Sequence, residues 1–110
     1  MRHEDRGGKR HHKDLQVCRQ VLDALTYALA DLGDPLIDEL TLASVVPAPS
    51  ASRVLVTLVP TRAGLDPDGA LARVRAQADE LREEVAAEVS RKRVPELVFR
   101  IGRPDDARQA

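Results

Sequence analysis

The chain has 110 residues, one domain's worth, and its 17 Lys and Arg against 18 Asp and Glu leave a formal net charge of −1 that selects no partner. Hydrophobic residues at 43 % suit a soluble globular core, and a single cysteine excludes a disulfide framework or a cysteine-built zinc site. No apolar run reaches the ~18 residues of a membrane span, and none follows the charged N-terminus as a signal peptide requires, so the expected location is the cytoplasm. With no tryptophan, one tyrosine (Tyr27) and one phenylalanine (Phe99), base-stacking aromatic platforms are excluded too.

Residues 1–13 hold a Gly7-Gly8 pair and no apolar side chain after Met1, which predicts a mobile basic tail. Asp14 is the candidate N-cap of a helix over 14–32, in which Leu15, Cys18, Leu22, Leu25, Leu29 and Leu32 recur at helical spacing. Val17, Val21, Ala24 and Ala28 widen that stripe; Gly33 supplies a left-handed end and Pro35 forbids continuation. From Ile37 to Val46 the period becomes two, with Leu40, Leu42, Ser44 and Val46 on one face and Thr41, Ala43 and Val45 on the other. The segment 47–52 is turn chemistry, and Arg53–Val59 is a second strand ended by Pro60, giving an antiparallel hairpin.

A second helix opens at Asp66-Pro67-Asp68-Gly69, with Asp66 or Asp68 as cap. Leu71, Val74, Ala78, Leu81, Val85 and Val89 form its apolar face, and Arg91-Lys92-Arg93 suits its C-terminus. Val94–Ile101 reads as a last strand, and residues 104–110 as a short C-terminal tail. The element order is therefore αββαβ. A straight helix of about 25 residues would be roughly 37 Å long, against about 34 Å for the whole compact domain, which favours a bend partway along.

Catalysis finds little support. His3, His11 and His12 all fall in the predicted tail, away from any ordered nucleophile. Cys18 lies on the apolar face as a small core residue, and no glycine-rich phosphate loop is present. Asp31, Asp34, Asp38 and Glu39 bracket a turn, where capping and solubility explain them without a metal. The neutral total conceals a layout: net charge is +2 over 1–14, −4 over 15–69, +2 over 70–103 and −1 beyond. In the basic second half, Arg75 and Arg82 are seven apart and share a helix face, while Arg73, two before Arg75, does not. Arg91, Lys92 and Arg93 cluster at the helix end, and Arg100 follows on the strand. These seven are the candidate RNA-phosphate contacts. The competing reading is a solvated surface, since Asp79, Glu80, Glu83 and Glu84 are interleaved and Arg75–Asp79 is an i,i+4 pair.

Three segments in order carry a family resemblance: the Leu-rich helix ending in Gly33-Asp34-Pro35, the strand Val54–Val59, and Leu81-Arg82 followed by Arg91-Lys92-Arg93-Val94-Pro95-Glu96-Leu97-Val98-Phe99. Across roughly residues 15–101 the chain resembles the ribosome-binding factor A family of bacterial small-subunit maturation factors. The resemblance implies a single α+β, KH-like domain of type II over 14–103, with a three-stranded mixed sheet and two helices on one face. It implies a long second helix kinked at an Ala-x-Gly step; aligned on Leu81-Arg82, the glycine position holds Asp79, a departure from the family pattern. It also implies a non-catalytic assembly factor that binds the free small ribosomal subunit and assists late maturation of its rRNA around the 5′ region. Such a factor is expected to be a monomer with no cofactor, metal, membrane or small-molecule substrate. The alternative is a small protein-interaction or dimerisation module with no RNA role, docking through the acidic 23–68 region.

Overall fold

Helix α1 spans Arg2–Asp31 and is the longest element of a computed structural model that describes residues 2–48, 52–89 and 94–103, with side chains described from Leu15 onward. The helix begins before the expected cap, so Asp14 lies inside α1 rather than at its N-terminus. At the other end Gly33 takes φ +64°, the left-handed conformation expected of it. The residues facing inward are set by two neighbours, the sheet and α3. Val17, Val21 and Leu25 are fully buried, whereas Leu15, the first of the expected stripe, is 48 % exposed.

Ile37–Glu39 forms a 3₁₀ turn rather than the start of a strand, because Asp34 accepts hydrogen bonds from the backbone N–H groups of Leu36 and Ile37 and curls the chain there. Strand β1 then runs Leu40–Pro47 and β2 runs Arg53–Pro60, paired antiparallel. Leu42 pairs with Leu58 and Ser44 with Thr57, so Ala43 is an extra residue, a β-bulge. One inserted residue inverts the alternation beyond it. Val45 is therefore buried against the helices and Val46 is 43 % exposed, the reverse of the simple period-two reading.

Asp66 caps α2, Pro67–Ala76, accepting hydrogen bonds from the N–H groups of Asp68 and Gly69. The helix stops at Gln77 (φ −103°, ψ 8°) and restarts as α3, Ala78–Glu88. The long helix is thus broken, as its length demanded, but at Gln77 rather than Asp79, which is instead a first-turn acid of α3. Helical phase survives the break: Val74 and Leu81, seven apart, are both fully buried. The helix also ends at Glu88, earlier than expected. The 91–93 cluster placed at its C-terminus, and the 104–110 tail, lie outside the described residues.

Strand β3, Glu96–Ile101, pairs parallel with β2 and gives the sheet order β1-β2-β3. Buried Pro95 precedes it, where its missing N–H costs no ladder bond. Val54, Val56, Leu58 and Phe99 meet α1, α2 and α3 in one core. The register places Thr41, Ser44 and Val46, Leu55 and Thr57, and Val98 and Arg100 on the opposite sheet face.

Candidate nucleic-acid interface

The two helices α2 and α3 bury Ala70, Val74, Leu81 and Val85, and this common face fixes where their arginines stand. Arg75 follows Val74 by one position and Arg82 follows Leu81 by one, so both lie on the same flank of the broken helix, and both are exposed. Among the described residues neither is in an ion pair, so the Arg75–Asp79 contact expected of a solvated surface does not form. Arg73 precedes Val74 and stands on the other flank. There its Nε donates to Asp34 Oδ2 at 2.7 Å.

That pair is a structural pin between the end of α1 and α2. Asp34 is only 11 % exposed, and its second oxygen, Oδ1, holds the Leu36 and Ile37 amides at 2.9 and 3.3 Å. The Arg73 hydrogen bond, with the two backbone N–H groups, holds the Asp34 carboxyl below its ordinary value against the opposing effect of desolvation. Sequence spacing assigned Arg73 to RNA alone. The signal for its second role was the Gly-Asp-Pro step, where a carboxylate must satisfy the turn's amides.

Arg100 sits on the other face of the sheet from the helices. Its Nε donates to Oγ1 of buried Thr57, its register partner on β2, at 2.9 Å. The structure thus brings Arg75 and Arg82 together, sets Arg73 and Arg100 apart from them, and leaves Arg91, Lys92 and Arg93 outside the described residues. Two further arginines are tied into the frame. Arg62 grips Glu39 with Nε–Oε1 at 3.0 Å and Nη2–Oε2 at 3.1 Å, which lowers the glutamate's pKa and raises the guanidinium's. Arg53 Nε meets Glu96 Oε2 at 3.3 Å, across the first pair of the parallel ladder.

The described side chains carry eight arginines, no lysine, and thirteen Asp and Glu. Every lysine, and every cation beyond those eight, belongs to 1–13, to 91–93 or to the last residues of the chain. Among the described residues no group of three or more His, Cys, Asp or Glu could hold a metal ion, and no helix is long and apolar enough to cross a membrane. Cys18 is buried in the core cluster.

A mixed β1-β2-β3 sheet carrying α1 and a broken α2–α3 on one face, in the order αββαβ, is a KH-like α+β domain of the second type. More particularly, the chain is ribosome-binding factor A-like. It is similar to ribosome-binding factor A from Thermus thermophilus, with 26% identity, a TM-score of 0.68, and coverage of 78% of this chain and 92% of that one. It shares its fold with a Thermotoga maritima candidate ribosome binding factor A, at 17% identity and a TM-score of 0.67, covering 77% of this chain and 82% of that one. No family model and no curated protein matches the sequence.

Proposed function

We propose that the protein is a non-catalytic ribosome assembly factor whose 14–103 domain binds the free small ribosomal subunit and assists late maturation of its rRNA around the 5′ region. The observation that carries this reading is the overlay on ribosome-binding factor A from Thermus thermophilus, which extends over 92% of that chain at a TM-score of 0.68. Shape and phosphate recognition need no nucleophile, cofactor or metal; they need guanidinium and ammonium groups at the surface. Arg75 and Arg82 supply two from one exposed flank of α2 and α3. Arg91, Lys92 and Arg93 follow α3 in the chain and are the further phosphate contacts of this reading, with Arg73 on the opposite flank and Arg100 on the far sheet face as the remaining two, each with its Nε already engaged.

The test is cosedimentation of the full chain with free small subunits, large subunits and joined ribosomes across a salt series. If all seven cations meet phosphates, the log–log salt slope reaches about −5 to −6 as an upper bound. Changing Arg91, Lys92 and Arg93 to Ala should weaken binding and shallow the slope by about 2 to 3 while folding is retained. A triple variant that sediments with small subunits like the unmodified chain at every salt concentration would remove those residues from the site. A concentration-dependent dimer that ignores all three ribosomal particles would replace the proposal with the interaction-module reading.

A further inference from the structure

Strand β1 is an edge of the sheet: β2 pairs with one side of it, and among the described residues no strand lies on the other. The Ala48 N–H donates to the Arg53 carbonyl at 2.8 Å, and hydrogen-bonded and non-hydrogen-bonded pairs alternate along an antiparallel ladder. Val46–Leu55 and Ser44–Thr57 are therefore hydrogen-bonded pairs, whereas Val45–Val56 is not. The other side of β2 agrees. There the Ser52 and Leu58 carbonyls accept from the Glu96 and Gly102 N–H groups, so this alternate set of β2 residues, Val56 among them, bonds toward β3. The Val45 N–H and C=O thus point away from β2, a donor and an acceptor offered by one residue on the open edge.

Beside that edge runs a groove of about 780 Å³, walled by Leu15, Cys18, Arg19 and Leu22 of α1 and floored by Ala43–Val46 of β1. Positions 15, 18, 19 and 22 form one helix face. Leu15 is 48 % exposed and Val46 43 %, two of the three large hydrophobic side chains that the described surface leaves open. A helix wall beside a free strand edge is the geometry that takes an extended peptide as an added strand. Main-chain hydrogen bonds then supply affinity, and side chains at alternate positions supply selection. The usable edge is short. The bulge at Ala43 interrupts it on one side, and Pro47 has no N–H on the other. A window at residues 44–46 suits a short peptide and disfavours the pairing of two whole sheets.

We infer that this groove captures a short extended segment of a partner protein, apolar at its centre and acidic beside it. A residue paired with Val45 shares its sheet face and turns its side chain toward α1, where Leu15 and Leu22 stand. The next residue lies on the opposite face, beside Val46. The charge follows from Arg19. No described lining residue is acidic and Arg19 is the charged one, on a surface where thirteen carboxylates stand against eight arginines. From Leu15 to Arg19 the helix rises about 6 Å, and two residues of a strand advance about 6.6 Å. A carboxylate two places from the central apolar residue therefore comes level with Arg19 when that residue meets Leu15. Apolar walls around a single cation fit such a segment better than they fit a polyanion backbone. The groove shares no residue with the Arg75–Arg82 flank, so peptide capture stands apart from the ribosomal reading.

The test titrates the acetylated, amidated pentapeptide Glu-Val-Leu-Val-Glu into isotope-labelled full-length protein, followed by amide NMR. That peptide sets its Leu opposite Val45 with a Glu two places away in either strand direction. Shifts should concentrate on residues 15–22 and 43–46, and the Val45 N–H should exchange with deuterium at least about tenfold more slowly in the complex. A methyl group on the Leu nitrogen removes the donor that meets the Val45 carbonyl and should weaken binding about tenfold. Lys in place of both Glu should weaken it about threefold to tenfold, and Arg19→Glu, with its urea midpoint as folding control, should reverse that preference. Equal binding by the N-methylated peptide refutes strand addition. Equal binding by the Glu and Lys peptides, or a preference unchanged in Arg19→Glu, refutes the acidic partner. No shift at Val45 with millimolar peptide overturns the site, and a concentration-dependent dimer that protects Val45 without peptide gives the edge to a second copy of the chain instead.

Discussion

Gly33 is where one backbone angle can be isolated from everything else. It ends α1 at φ +64°, and a Cβ built there meets nothing within 4 Å. The cost of Gly33→Ala is therefore conformational: forcing an alanine into the left-handed region costs about 1–2 kcal/mol. For a domain near this size that corresponds to a fall in melting temperature of roughly 4–8 °C per kcal/mol. Asparagine is larger than alanine but tolerates the left-handed region better, so Gly33→Asn should be the milder change. Equilibrium urea unfolding measures both, with an unchanged m-value showing that the unfolded ensemble is not altered. Stability should rank Gly33 above Asn and Asn above Ala. An asparagine variant as unstable as alanine, or an alanine variant equal to the parent, would refute the claim that this position is governed by φ and not by packing.

Leu81, fully buried where α3 meets α1, should lose about 2–5 kcal/mol on Leu81→Ala, read from the urea midpoint. The bulge at Ala43 predicts that Val45→Asp destabilises far more than Val46→Asp; the opposite ranking would restore unbroken alternation along β1. Asp34 and Glu39 have folded pKa values held below their ordinary 3.8 and 4.5 by Arg73 and Arg62, so the stability each supplies is present above those values. It drains as pH falls through the lower folded values. Thermal melts of Asp34→Asn on the acid side should show a shallower decline than the parent, and parallel curves would contradict the pin.

The sequence determined the elements whose signals are local. Helical spacing from Leu15 to Leu32, β-branched runs closed by prolines, and caps at Gly33 and Asp66 are written in contiguous residues, and so is the αββαβ order they build. The need for a bend in the long helix followed from length alone. Tertiary structure decided what depends on a neighbour. The inward face of α1 turned toward Val17 and Val21 because α3 and the sheet together, not the leucine stripe alone, define what is inside. The bulge at Ala43 inverted β1 because register answers to the facing strand. Arg73 found Asp34, 39 residues away, and Arg100 found Thr57, 43 away, contacts that no spacing rule encodes. The charge balance of 17 against 18 was in the sequence from the start. That Arg75 and Arg82 share one flank of α2 and α3 follows only once the backbone is helical and the break at Gln77 keeps its phase, because helical rotation converts intervals along the chain into directions in space.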